Sequence, residues 1–305
     1  MFALMIFGGL GPWTGVEIAV ALALVALLLA FGFGGDRFVR ALSLRSPVAQ
    51  VAVSTVFVLP YVVLALADGI FQWRWFAVYT LVPIAVAAAL ALSAKVDTEQ
   101  KGTVFDYAVL LLLGLAVDLR WFEPAWPNHL HAIGKIVLLD AGLYAFLVIR
   151  RLTGTGIDFR ARWRDWKIGL RELAYFTPIV LAFGFALSFL HWHSRLPPWW
   201  LPLAWLYTAM FIAIPEEIFF RGWMQNLLER RLGRRWSLVV TAIVFGLSHF
   251  NKRMPQFNTA FNWRYVLLAA IAGIFYGRAW RQERRVAASA ITHASVDTLW
   301  SIWLR

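Results

Sequence analysis

The chain contains no cysteine. Disulfides, thiol nucleophiles, thiolate metal sites and S-palmitoylation are therefore excluded together. Charge is scarce too: Asp, Glu, Lys and Arg make up only 15% of the 305 residues, where a soluble domain carries about 25%. Set against 61% hydrophobic residues and a mean hydropathy of +0.66, that shortage excludes an ordinary soluble fold. Acids are the scarcest of the charged residues, 17 against 29 Lys and Arg, which leaves a net charge of +12. On a chain this apolar, such an excess marks loops on the cytoplasmic side beside anionic lipid, so a bilayer and no nucleic-acid partner is expected. No internal repeat and no low-complexity linker interrupts the pattern. What is plentiful is aromatic bulk, 17 Trp and 24 Phe, of the kind that collects at membrane interfaces.

A membrane span needs about 20 mainly apolar residues. Such runs cover 16–34, 48–67, 75–94, 104–117, 132–149, 173–190, 199–228, 237–250, 264–280 and 286–304, with 104–117 among the shortest. The expected fold is all-α, a polytopic transmembrane helix bundle of about 8–10 spans. If the spans alternate, the basic residues within 37–45, 95–101, 150–171, 221–235 and 278–285 fall on one side, 21 of the 29 Lys and Arg. That asymmetry is what the positive-inside rule demands, and it puts both termini outside. Residues 1–12 hold no basic residue ahead of their apolar run and no small-residue cleavage site follows, so the start reads as an anchor rather than a removed signal peptide. The basic stretch 150–172 divides helices 1–149, of unknown role, from a C-terminal part, 173–305, that holds most of the distinctive polar residues.

Ionisable groups inside spans are costly and point to function by default. Glu17, Asp106 and Asp140 each stand alone on a helix and read as bundle-facing hydrogen bonders. His129 with His131, and His191 with His193, stand beside Trp and Pro at helix ends and read as interfacial anchors. The C-terminal part differs. Glu217 and Arg221, at i and i+4, share a helix face and can pair. Glu216 is rotated about 100° away, an acid without a partner on its own helix, which suits general acid–base work. Pro215 removes one backbone hydrogen bond just where the acids sit. Phe245 with His249, and His293 with Asp297, repeat the i,i+4 spacing on two more helices. At 1.5 Å rise per residue, Glu216, His249 and Asp297 lie roughly 18–21 Å from the nearest basic edge and His293 about 12 Å, so the groups can meet in one layer.

In this order the residues Glu216-Glu217-x-x-x-Arg221, Phe245-x-x-x-His249 and His293-x-x-x-Asp297 resemble the signature of the CAAX protease and bacteriocin-processing (CPBP, or Abi) family of intramembrane proteases. Gly273 and Gly277, followed by Arg278 and Arg281, resemble the family's closely spaced glycines before a basic stretch. The resemblance covers roughly 199–305, and the position of Asp297 is commonly Asn in the family. It implies a protease core within 173–305 and a glutamate-type intramembrane endopeptidase. Glu216, helped by His249, would activate water. His293 would stabilise the oxyanion, with Asp297 holding its tautomer or donating if protonated. Glu217 and Arg221 would form a structural ion pair, with Phe245 packed beneath His249. No cofactor is needed in that reading. Its rival is a divalent metal such as zinc on Glu216, His249 and His293, although H-E-x-x-H is absent. Gly246-Leu247-Ser248-His249 is only faintly similar to a rhomboid serine loop, and a transporter or scaffold lacks the repeated halves that transporters often show. The expected substrate is a membrane-anchored precursor: a prenylated tail, a bacteriocin-like leader or a sorting tail. The expected location is the inner membrane of a prokaryotic cell.

Overall fold

The computed structural model describes residues 13–193, 199–252 and 261–304. Residues 1–12, which carry the anchor reading, lie outside the described residues. Helices dominate the described residues, with no strand among them. Six helical stretches are long and apolar enough to cross a membrane, and the chain is an integral membrane protein. Two of the expected spans, 199–228 and 237–250, lie in one of these stretches, Leu201–Leu247, which breaks at Gly233 with φ 74°. The weakest expected span is a helix of only 15 residues, Val104–Asp118. Two compact units make up the chain, Met1–Thr153 and Gly154–Arg305.

The first unit contains α1 (Gly15–Ser43), α2 (Pro47–Val53), α3 (Leu59–Ala67), α4 (Trp73–Val96), α5 (Val104–Asp118) and α6 (His131–Leu143). The stretch Asn128–Ile149, which contains α6, is the most enclosed of the six spans. Polar groups here pair locally, as burial requires. Glu17 closes a capping box with Thr14 at the start of α1 and also meets His129 Nε2 at 2.9 Å. Asp106 accepts from Ser93 and from the Thr103 amide, and ion-pairs with the buried Arg150 at 2.8 Å. His131 faces Glu123 at 3.4 Å. His129 and His131 are thus partners of acids, not free interfacial anchors. Asp140 also departs from expectation. It is fully buried, yet neither carboxyl oxygen has a hydrogen-bond partner among the described residues. Its helical neighbours Ile136, Val137 and Leu143 are apolar, and the Tyr144 hydroxyl is spent on the Gln50 carbonyl.

The second unit contains α7 (Trp163–Ala186), α8 (Leu201–Thr208), α9 (Ile214–Glu217), α10 (Asn226–Leu247), α11 (Trp263–Glu283) and α12 (Val286–Leu299). Two wide-turned π segments, Ala209–Ala213 and Ile218–Gln225, bracket α9. Such turns absorb irregularities in a helical ladder, and Pro215, with no amide to donate, lies between them. α11 runs close against α10 because glycines face it. A side chain at Gly273 would press on Ala242, and one at Gly277 on Gln225 and Leu238. His191 and His193 are exposed, and their backbone amides donate to the Leu304 and Trp303 carbonyls.

A strap of residues 154–162 locks the turn between α11 and α12. Arg285 binds both Asp165 oxygens at 2.9 and 3.1 Å, Asp158 at 2.8 Å and the Arg160 carbonyl at 2.6 Å. Gly156, at φ 71°, accepts from the Val286 amide, and a Cβ there would run into the Arg284 carbonyl. Partial burial opposes ionisation of Asp158. The hydrogen bond from Arg285, the Arg160 amide and the charges of Arg285 and Arg162 outweigh it and hold the carboxyl below its ordinary range. A depressed carboxyl stabilises the fold fully above its unfolded value of about 3.9, and that share is lost as pH falls through the folded value. Asp158→Asn is expected to lower stability by about 1–3 kcal/mol at neutral pH. It should also flatten the loss of stability below about pH 4, read as thermal unfolding in detergent across pH.

Candidate active site

Three helices deliver the three motifs to one place. The acids sit on α9, with Glu217 fully buried and the Glu216 side chain 28% exposed. Arg221, one turn further on, meets Glu217 Oε2 through Nε at 3.2 Å with both side chains sealed from solvent. These two atoms do not form an aligned hydrogen bond, so the pair is a charge contact. Arg221 spends Nη2 on the Gly273 carbonyl at 2.9 Å, and its guanidinium lies 4.8 Å from the centre of the Phe245 ring. The expected ion pair is present, and Phe245 packs against His249 with ring centres 4.9 Å apart.

His293 is the hub. α12 buries almost every side chain up to Ser295. Its Thr292 hydroxyl donates to the Gly169 carbonyl of α7, pinning the helix there at 3.1 Å. The ring nitrogen Nδ1 of His293 lies 2.8 Å from Glu217 Oε1. A carboxylate accepts only, so Nδ1 is the donor. Nε2 then faces Asp297 Oδ2 at 3.5 Å and Glu216 Oε2 at 3.8 Å. One buried imidazole is therefore surrounded by three carboxyl groups, two from α9 and one from its own helix. Glu217, not Asp297, sits on Nδ1, and Asp297 lies on the Nε2 side. The sequence assigned Glu217 to Arg221 alone. Its second contact depends on how α9 and α12 meet, which spacing along one helix does not reveal.

His249 occupies the end of α10, where its Nδ1 lies 2.8 Å from the Phe245 carbonyl. A carbonyl cannot donate, so Nδ1 carries the hydrogen and Nε2 of the neutral ring is left as an acceptor. No ion-pair contact joins His249 to Glu216 among the described residues; the histidine that Glu216 faces is His293. Next to His249, His293 and Asp297 opens a cavity of about 110 Å³. Its wall is almost wholly apolar, with Phe176, Val180, Leu268, Ala272 and Val296 among its residues. Polar groups converging at the edge of an apolar cavity make a default site for an amphiphilic substrate.

Residues 198–299 match the family model of Rce1-like type II CAAX prenyl endopeptidases. The match takes in α8 to α12 and every motif residue from Glu216 to Asp297, about a third of the chain, and agrees with the resemblance drawn from the three motifs. No curated protein and no solved structure matches the chain. The Rce1-like family is one of membrane CAAX-type peptidases, and a membrane-embedded peptide is the class of substrate that fits it. Among the described residues no three or more His, Cys, Asp or Glu side chains are grouped to hold an ion, the set Glu216, His249 and His293 included. His293 also has Nδ1 engaged by Glu217.

Proposed function

We propose that the second unit hydrolyses a peptide bond in a membrane-anchored precursor, in the inner membrane of a prokaryotic cell, by a glutamate-type mechanism. Glu216, which faces His293 Nε2, takes a proton from a water molecule, whose oxygen attacks the scissile carbonyl carbon, and His249 lines the adjoining cavity. The carbonyl oxygen becomes an oxyanion and accepts a hydrogen bond from His293 Nε2. As the intermediate collapses the C–N bond breaks, and Glu216 returns its proton to the leaving nitrogen. Glu217 holds the tautomer of His293, which the Nδ1 contact of 2.8 Å supports. The observation that carries the reading is the meeting of Glu216, Glu217 and Asp297 around one buried imidazole beside an apolar cavity. The test compares membrane-protein termini in cells carrying the wild type and cells carrying Glu216→Ala. Termini that vanish in the variant identify substrates, and an unchanged set removes the protease reading.

Asp297 is within reach of the same oxyanion. An amide there could donate to it, whereas a carboxyl donates only when protonated. Asp297→Asn is therefore expected to keep or raise the cleavage rate, and Asp297→Ala to lose about 10²–10³, the usual loss for one oxyanion donor. A severe loss from Asp297→Asn would instead show that the negative charge beside His293 Nε2 is what matters.

A further inference from the structure

We infer that Tyr276 is a positioning residue that sets the tilt of the His293 ring; the inference rests on the reading of His293 as an oxyanion donor. Tyr276 belongs to none of the three motifs. It is buried on α11 with its ring nearly parallel to the imidazole, at 4.5 Å between centres and 14° between planes. Other aromatic contacts of the site are steeper. Phe245 meets His293 edge-on at 87°, and His249 lies at 52° to Phe245 and 57° to Tyr265.

A histidine side chain turns about two bonds, Cα–Cβ and Cβ–Cγ. The single Glu217 contact at Nδ1 restrains one combination of the two turns, and the ring can still roll by the other. That roll swings Nε2, the atom that faces Glu216 and Asp297. A flat aromatic face against the imidazole stops it, and an aliphatic side chain of similar bulk would not. The Tyr276 ring is itself held, because the Arg221 guanidinium lies 5.5 Å from its centre while pairing with Glu217. The close approach of α11 to α10 at Gly273 brings the tyrosine this deep. Glu217, Arg221, Tyr276 and His293 thus form a closed ring of contacts around the imidazole.

The test uses the full-length protein in its own membrane, with the termini that depend on Glu216 as the assay. Tyr276→Leu is expected to slow their appearance in a pulse-chase by on the order of 10–100-fold, the scale of a small misplacement of a reacting group. Tyr276→Phe, which keeps the ring, is expected to restore the rate to within about threefold. In detergent, ¹³C relaxation of labelled His293 should report a looser ring in Tyr276→Leu and a wild-type ring in Tyr276→Phe. Should Tyr276→Leu fail to fold, cyclohexylalanine at position 276 keeps the bulk without the flat face, with an expected loss on the order of 10–100-fold. A folded Tyr276→Leu with wild-type rate and ring order overturns the inference, as does Tyr276→Phe as impaired as Tyr276→Leu. An unchanged rate with cyclohexylalanine also overturns it if Tyr276→Leu does not fold. If no terminus depends on Glu216, the protease reading falls first and this inference with it.

Discussion

Glu216→Gln is expected to abolish cleavage while the protein stays folded, extractable and monodisperse. The substitution keeps the size of the side chain and its contact distance from His293, but an amide cannot take a proton from water. The loss should be at least about 10²–10⁴-fold, the usual contribution of a positioned acid–base group. The geometry explains why stability should be spared. Glu216 is the more exposed of the two acids, its Oε2 has no hydrogen-bond partner, and its contact with His293 Nε2 is long at 3.8 Å. Replacing an acid that holds nothing together costs the fold little. The measurement pairs the appearance of Glu216-dependent termini with thermal unfolding of the purified variant. Retained cleavage would remove Glu216 from the reaction.

The neighbouring change has a different signature. Glu217→Gln is expected to lower stability by about 3–5 kcal/mol, the cost of leaving one member of a buried ion pair without its counter-charge. Glu217 and Arg221 are both sealed, and Arg221 has no other carboxylate within ion-pair distance among the described residues. The same substitution removes the carboxylate from His293 Nδ1. Activity per folded molecule should therefore fall as well, and a double change, Glu217→Gln with Arg221→Met, should recover stability more than activity. Thermal unfolding and cleavage measured on the same preparations separate the two effects. A Glu217→Gln protein of full stability would show that the pair contributes little to the fold.

The site was legible in the sequence wherever its contacts repeat along one helix. The Glu217–Arg221 and Phe245–His249 pairs are i,i+4 neighbours, and the period of the helix makes them readable without coordinates. Gly273 and Gly277 share that spacing, and both face the close approach of α11 to its neighbours. What spacing cannot show is which residue of one helix meets which of another. The Nδ1 contact between Glu217 and His293 spans 76 positions of chain, and the stacking of Tyr276 on His293 depends on the rotation of α11 about its axis. The pairs Glu17–His129 and Asp106–Arg150 were hidden similarly: each acid looked isolated because its partner lies on a different segment. The π segments around α9 leave no clear trace in composition, since a widened turn needs no special residue.

The strap fastened by Arg285 bears on where the chain can be cut. Composition alone divides it at the end of the basic stretch, near residue 173. A fragment starting there would lose Asp158 and Asp165, the acids that fasten Arg285, together with the Gly156 and Thr155 carbonyls that accept from Val286 and Trp280. The turn that launches α12, and with it His293, would be left with an unanswered guanidinium. Dissection of the protein therefore has to respect a boundary at Gly154. By the same logic, a protease nick between 154 and 162 would inactivate the enzyme from a distance while leaving every motif residue in place.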